Sequence, residues 1–275
     1  MSKRGLPPVA WRVCIGEWLN LLRASGLSGL TVDTRRRQIT VAARGLRAAP
    51  DEVDGERLIG WFGSRTWKPE TRKGYRNALR GFFGWMNQTG RRQDDPSLRL
   101  PTIRRPGAHP HPCPDEVILK ALAKANEAER LMILLAAECG LRRAEIAQVS
   151  SRDVVSDCAG KSLIVHGKGD KQRLVPLPDG LARLIARADG YLFPGRWGGH
   201  AEQSYVGRHV TELLGDGWSA HSLRHRYATS TYVATHDLLL VSHLLGHASV
   251  ETTERYVALP DDRLRVALDS IVFAA

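Results

Sequence analysis

Apolar residues near the start of the chain recur with the period of a helix. Trp11, Cys14, Ile15, Trp18, Leu19 and Leu22 keep the i, i+3, i+4, i+7 spacing that turns one face of a helix to a core. Tyr75, Leu79, Phe82 and Met86 do the same within 71–86, and 34–46 and 55–63 are further helical stretches. No strand-like alternation competes, so residues 10–93 are expected to form a small helical bundle with the aromatic residues in its core. Downstream the pattern predicts helices over 115–125 and 127–139, a stop at Gly140, and a new helix near Leu141. The clear β signal is a pair of apolar runs, 162–166 and 172–177, flanking a Gly-Lys-Gly-Asp turn. Helical spacing returns over 181–188, 205–214, 223–233, 238–244 and 250–257.

Between the two patterned regions, residues 94–114 carry six prolines and little periodicity. Proline at this density stops helices on either side and favours extended chain. The reading is a helical domain over 1–98, a linker over 99–113 and a second domain over 114–275. The His109-Pro110-His111-Pro112-Cys113 string has metal-ligand residue types, but alternating prolines hinder the chain from wrapping ligands around one ion.

Charge sharpens this division. The chain of 275 residues has a net charge of +11. Residues 1–106 hold 21 Lys+Arg against 9 Asp+Glu, and the remainder holds 19 against 20, so the whole excess lies in the first domain. That asymmetry points to an anionic partner, nucleic acid first, with an unusually basic solvated face as the plainer alternative. Arg35, Arg36, Arg37, Arg44, Arg72, Arg76 and Arg80 fall within predicted helices; the last three stand at i, i+4, i+8, a stripe that could track phosphates. The longest apolar run, 131–137, is far too short for a membrane span, and the basic N-terminus lacks the apolar region of a secretory signal. Four cysteines without framework spacing fit a reducing, cytoplasmic setting.

Four separated pieces carry candidate chemistry. Arg142 follows Gly140-Leu141 at a predicted helix start, where free N–H groups and a guanidinium could hold an anion, although an arginine after a glycine is commonly a surface residue. Lys168 sits between glycines at the hairpin turn, which also reads as an ordinary exposed turn; the spacing is not that of a Walker A loop. His221 and Arg224 share a helix face at i, i+3. His221 and His225 have zinc-motif spacing, but Ser222 replaces the glutamate and no third ligand follows. His247 precedes Tyr256 by nine residues. Taken together, two arginines, a lysine, two histidines and a tyrosine suit phosphoryl transfer without a metal: cations balance charge on the non-bridging oxygens, a lysine protonates the leaving oxygen, and a tyrosine attacks phosphorus.

The order G-L-R-x-x-E, G-K-G-x-K-x-R-x-V-P-L, H-x-L-R-H, L-G-H and a tyrosine nine residues on resembles the tyrosine recombinase family, the phage integrase and Xer group. The resemblance covers nearly the whole chain. It implies a mainly α fold, with an N-terminal helical (SAM-like) core-binding domain followed by an α-rich catalytic domain with a small β-hairpin or sheet.

The same resemblance implies the roles. Arg142 and Arg224 would clamp the scissile phosphate, and Lys168 would be the general acid for the 5′-oxygen. His221 would act in acid–base chemistry or support the phosphate, and His247 would bond a non-bridging oxygen. Tyr256 would form a 3′-phosphotyrosine, and Glu145 would orient the active-site arginine. Ala144 stands where the family often has Ser, and Val257-Ala258 where Thr-His is common; neither removes a catalytic group.

No cofactor is implied, because the phosphotyrosine stores the energy of the cut bond. The implied partners are double-stranded DNA and three further copies of the chain, in a bacterial cell or phage-infected host. The apolar segment with Leu264, Val266, Leu268, Ile271 and Val272 would dock in trans, and a directionality factor could take part. A small phage integrase without an arm-binding domain is the first expectation and Xer-like chromosome or plasmid resolution the second. The rivals are a non-catalytic DNA-binding regulator on the same fold and a stand-alone strand nuclease or relaxing enzyme.

Overall fold

The computed structural model describes residues 6–104, 110–158, 160–167 and 171–246. The chain divides into two compact units, residues 1–107 and 108–275.

The first unit is helical: α1 (Val9–Ala24), α2 (Gly29–Leu46), α3 (Gly55–Gly63) and α4 (Pro69–Gln88), then a 3-10 turn at Pro96–Arg99. α2 begins five residues before the expected 34, because the Ser28 side chain caps it by accepting from the Thr31 N–H. Proline opens α4 at its first turn, where its missing N–H costs nothing. Trp11, Trp18, Leu58, Leu79, Phe82, Phe83 and Met86 are buried together. Trp11 stacks on Phe82 with ring centroids 5.5 Å apart, and Trp18 meets the same ring edge-on. The start of the proline-rich stretch belongs to this core: Leu100 is buried and Ile103 packs against it.

The second unit opens with α5 (Asp115–Lys124) and α6 (Glu127–Glu138), followed by the short α7 (Arg143–Gln148). A three-stranded antiparallel sheet follows in the order β1 (Val154–Asp157), β2 (Gly160–His166), β3 (Gln172–Leu177). Val155 pairs with Ser162, and Leu163 with Val175. Four further helices follow among the described residues: α8 (Asp179–Ala186), α9 (Gln203–Leu214), α10 (Ala220–Thr235) and α11 (Leu238–Leu245). Met132, Ile133 and Leu135 of α6 lie at the centre of the core, with Val206 and Val210 of α9 and Leu223 of α10. Cys113 is buried in this core. β1 has no counterpart in the expected elements, since four residues with one polar step carry no resolvable period. Among the described residues no helix is long and apolar enough to cross a membrane. The helix expected over 250–257 and the segment 262–275 lie outside the described residues.

Gly140 sets the turn between α6 and α7. Its φ is +63°, and a Cβ there would stand 2.4 Å from the Tyr227 ring of α10. Gly140→Ala is therefore expected to destabilise the chain by about 2–4 kcal/mol, from left-handed strain plus overpacking. A urea unfolding midpoint equal to the parent's would contradict this.

Candidate active site

Glu145 is the hub of the candidate site. It lies in the first turn of α7 and is 5% exposed. Its Oε2 accepts from the Arg142 backbone N–H at 2.8 Å, and its Oε1 from Arg142 Nη1 at 2.7 Å. Arg173 of β3 approaches from another side, donating Nη1 to Oε1 at 3.0 Å and Nη2 to Oε2 at 2.8 Å. Arg224 Nη1 of α10 stands 3.8 Å from Oε2. One carboxylate thus faces three guanidinium groups, leaving a local excess of positive charge. Burial works to raise the Glu145 pKa, but the Arg173 hydrogen bond and charge, with the Arg142 contacts, outweigh it and hold the carboxyl down to about 2.

The arginines are in turn fixed by main-chain carbonyls. Arg224 is fully buried and donates to Gly140 O at 2.5 Å and to Leu245 O at 2.6 Å. Arg173 Nε donates to Leu244 O at 2.8 Å. The last carbonyls of α11 are therefore held by the same two arginines that face Glu145. Arg142 departs from its expected place inside the helix. It is the N-cap, with extended backbone, and Glu145 takes its N–H, so that donor is occupied and is not offered to an external anion.

These groups border a cleft of about 380 Å³ between α7, α9 and α10, lined by Arg142, Arg143, His221 and Arg224. Desolvation among these groups pushes the His221 pKa below its ordinary value, helped by the charges of Arg224, Arg142 and Arg143. The shift favours the neutral imidazole. By NMR, its titration midpoint is expected below about 6.5, rising when a phosphodiester binds and offsets the arginines. A midpoint above 6.5 in the free chain would contradict this.

The family model described as the phage integrase family matches residues 115–263. The tyrosine recombinase XerD of Caulobacter vibrioides is 30% identical to this chain, with 93% of each covered. This chain belongs to the tyrosine recombinases. The XerC of Chromohalobacter salexigens is 29% identical over 88% of this chain and 90% of its own length. A solved structure of the XerH recombinase on a palindromic difH substrate, in a post-cleavage complex, matches with TM-score 0.68 and 25% identity. It covers 93% of this chain and 84% of that one. The chain is thus a site-specific DNA recombinase, mainly α with a small three-stranded sheet.

Within this recombinase the structure brings Arg142, His221 and Arg224 to one cleft, with Glu145 buried against the two arginines. Lys168, His247 and Tyr256 lie outside the described residues; the flanks of Lys168 are closed by Gly167 N–H donating to Lys171 O at 2.7 Å. The sequence marks Arg173 only as a member of the G-K-G-x-K-x-R motif. Its signal was its position: it alternates with Val175 and Leu177 on the inward face of β3, where a charged residue needs a buried partner.

The arginines expected to grip DNA sit in the first unit and are largely engaged there. Arg35 donates to Gly74 O at 2.9 Å, Arg36 pairs with Asp33 at 3.2 Å, and Arg44 bonds Leu6 O at 2.9 Å. Arg72 bonds the carbonyls of Phe62 and Arg65, and Arg76 that of Leu100 at 3.4 Å. Helical spacing placed 72, 76 and 80 on one face, but two of the three turn to backbone carbonyls instead of forming a free row. Arg37 is exposed and Arg80 half-buried.

Proposed function

We propose that this recombinase cuts and rejoins duplex DNA through a 3′-phosphotyrosine formed on Tyr256. The phenolic oxygen bonds to phosphorus as the bond from phosphorus to the 5′-oxygen breaks. Lys168 gives the leaving oxygen its proton, and His221 takes the phenol's. Arg142 and Arg224, with His247, offset the charge that gathers on the non-bridging oxygens. A 5′-hydroxyl from a partner strand then attacks the phosphotyrosine and frees Tyr256, so no nucleotide is consumed. Arg35, Arg36, Arg37, Arg44, Arg72, Arg76 and Arg80 contribute to the salt-sensitive hold on DNA.

The observation that carries this reading is the convergence of Arg142 and Arg224 on one buried carboxylate, in a cleft that His221 also lines. Four copies acting on two duplexes, with residues 262–275 docking in trans, complete the proposal. The XerC and XerD relatives span most of this chain, which favours an Xer-like resolving role; integration of mobile DNA, the first expectation from the sequence, stands second. Supercoiled plasmid carrying the DNA that flanks the gene is expected to be relaxed without ATP and in the presence of EDTA. Relaxation that requires either ATP or a divalent metal, or nicked DNA that is never resealed, would overturn the reading.

A further inference from the structure

Of the three guanidinium side chains lining the cleft, Glu145 engages two, Arg142 and Arg224. Arg143 is exposed, and among the described residues no carboxylate pairs with it. It is nevertheless placed. Its side chain lies over Gly207 of α9, where a Cβ would stand 3.5 Å from both Arg143 Cδ and Nη1. Gln203 and Thr211, one turn to either side of Gly207 on the same face, line the same cleft. α9 thus presents an amide, a gap and a hydroxyl in a row, with an arginine seated in the gap.

The cleft is larger than one phosphate requires. At about 30 Å³ per water it has room for roughly a dozen waters, several times what a single phosphodiester displaces. No carboxylate lines it among the described residues. Charge spacing along a DNA strand is about 3.4 Å of rise per phosphate, so a strand held at one phosphate carries the next into the adjoining space.

We propose that Arg143, with Gln203 and Thr211, forms a second phosphate subsite that holds a backbone phosphate neighbouring the scissile one. This rests on the reading of Arg142 and Arg224 as the clamp on the scissile phosphate. A guanidinium offers a planar two-point contact, and the amide and hydroxyl supply further donors to the same anion. The subsite fixes the direction of the strand across the cleft. Its contribution falls on DNA affinity and strand placement, and not on bond breaking.

The test is fluorescence anisotropy of the full chain on a labelled 30-base-pair duplex across a series of KCl concentrations. Arg143→Gln is expected to bind about tenfold more weakly at moderate salt and to lower the log–log salt slope by about 0.9, the loss of one neutralised phosphate. Arg143→Lys keeps the charge and is expected to keep the slope. Gln203→Ala with Thr211→Ala is expected to weaken binding with the slope unchanged. An Arg143→Gln slope equal to the parent's, with the unfolding midpoint also unchanged, would overturn the proposal. A parent chain that shows these slopes but forms no phosphotyrosine adduct would overturn the recombinase chemistry and leave the subsite standing.

Discussion

Replacing Glu145 by Gln is expected to lower the stability of the second unit by about 3–5 kcal/mol, the range for removing one partner from a buried ion pair. Glu145 is the carboxylate shared by Arg142, Arg173 and Arg224; Arg224 is itself buried, and the Arg173 side chain is only 9% exposed. Glutamine keeps the shape and one acceptor but leaves like charges facing each other with no counter-charge. Linkage gives an independent check. The carboxyl lies at about 2 in the folded chain against an ordinary 4.5. At 1.36 kcal/mol per unit this corresponds to about 3 kcal/mol. Because the folded value is depressed, this stability is complete above the unfolded value near 4.5 and is lost as the pH falls towards 2. The gap in urea midpoints between parent and Glu145→Gln should therefore be widest at neutral pH and shrink between pH 5 and 3. A gap independent of pH over that window would contradict the hub.

Arg142→Gln is expected to lower single-turnover strand cleavage by about 10²–10³, the usual loss when one donor to developing oxyanion charge is removed. Stability should change far less than in Glu145→Gln, because the Arg142 side chain is 40% exposed. Arg224→Lys should show both effects. Lysine cannot reach two carbonyls and a phosphate at once, so the strut from Gly140 O to Leu245 O is lost together with the clamp. Cleavage by Arg142→Gln within a few-fold of the parent, at saturating enzyme, would remove Arg142 from the phosphate.

Local features of this fold were legible in the sequence. α3 spans the stretch that the spacing marked, and the Trp11-to-Leu22 stripe is the buried face of α1. The hairpin was visible because alternation and glycine punctuation are local. What escaped depends on distant partners. Glu145 and Arg173 are 28 residues apart, and only burial on both sides reveals that they belong together. β1 is too short to declare a period and is defined by its pairing with β2. The stripe at 72, 76 and 80 was a correct reading of helix geometry, but spacing does not report which backbone carbonyls lie within reach of a long side chain. The order of the motifs could be read because each motif is compact, whereas the three-arginine grip on one carboxylate could not.

The proposed chemistry stands or falls on Tyr256 as the residue that bonds to DNA. A suicide substrate, nicked so that the strand beyond the cleavage point is released, traps the intermediate. The parent chain is expected to form a protein–DNA adduct stable to denaturation, whose DNA remains attached through its 3′ phosphate to a peptide containing Tyr256. Tyr256→Phe is expected to bind the same duplex and form none. An adduct that survives Tyr256→Phe, or one mapped to another residue, would rule out Tyr256 as the nucleophile.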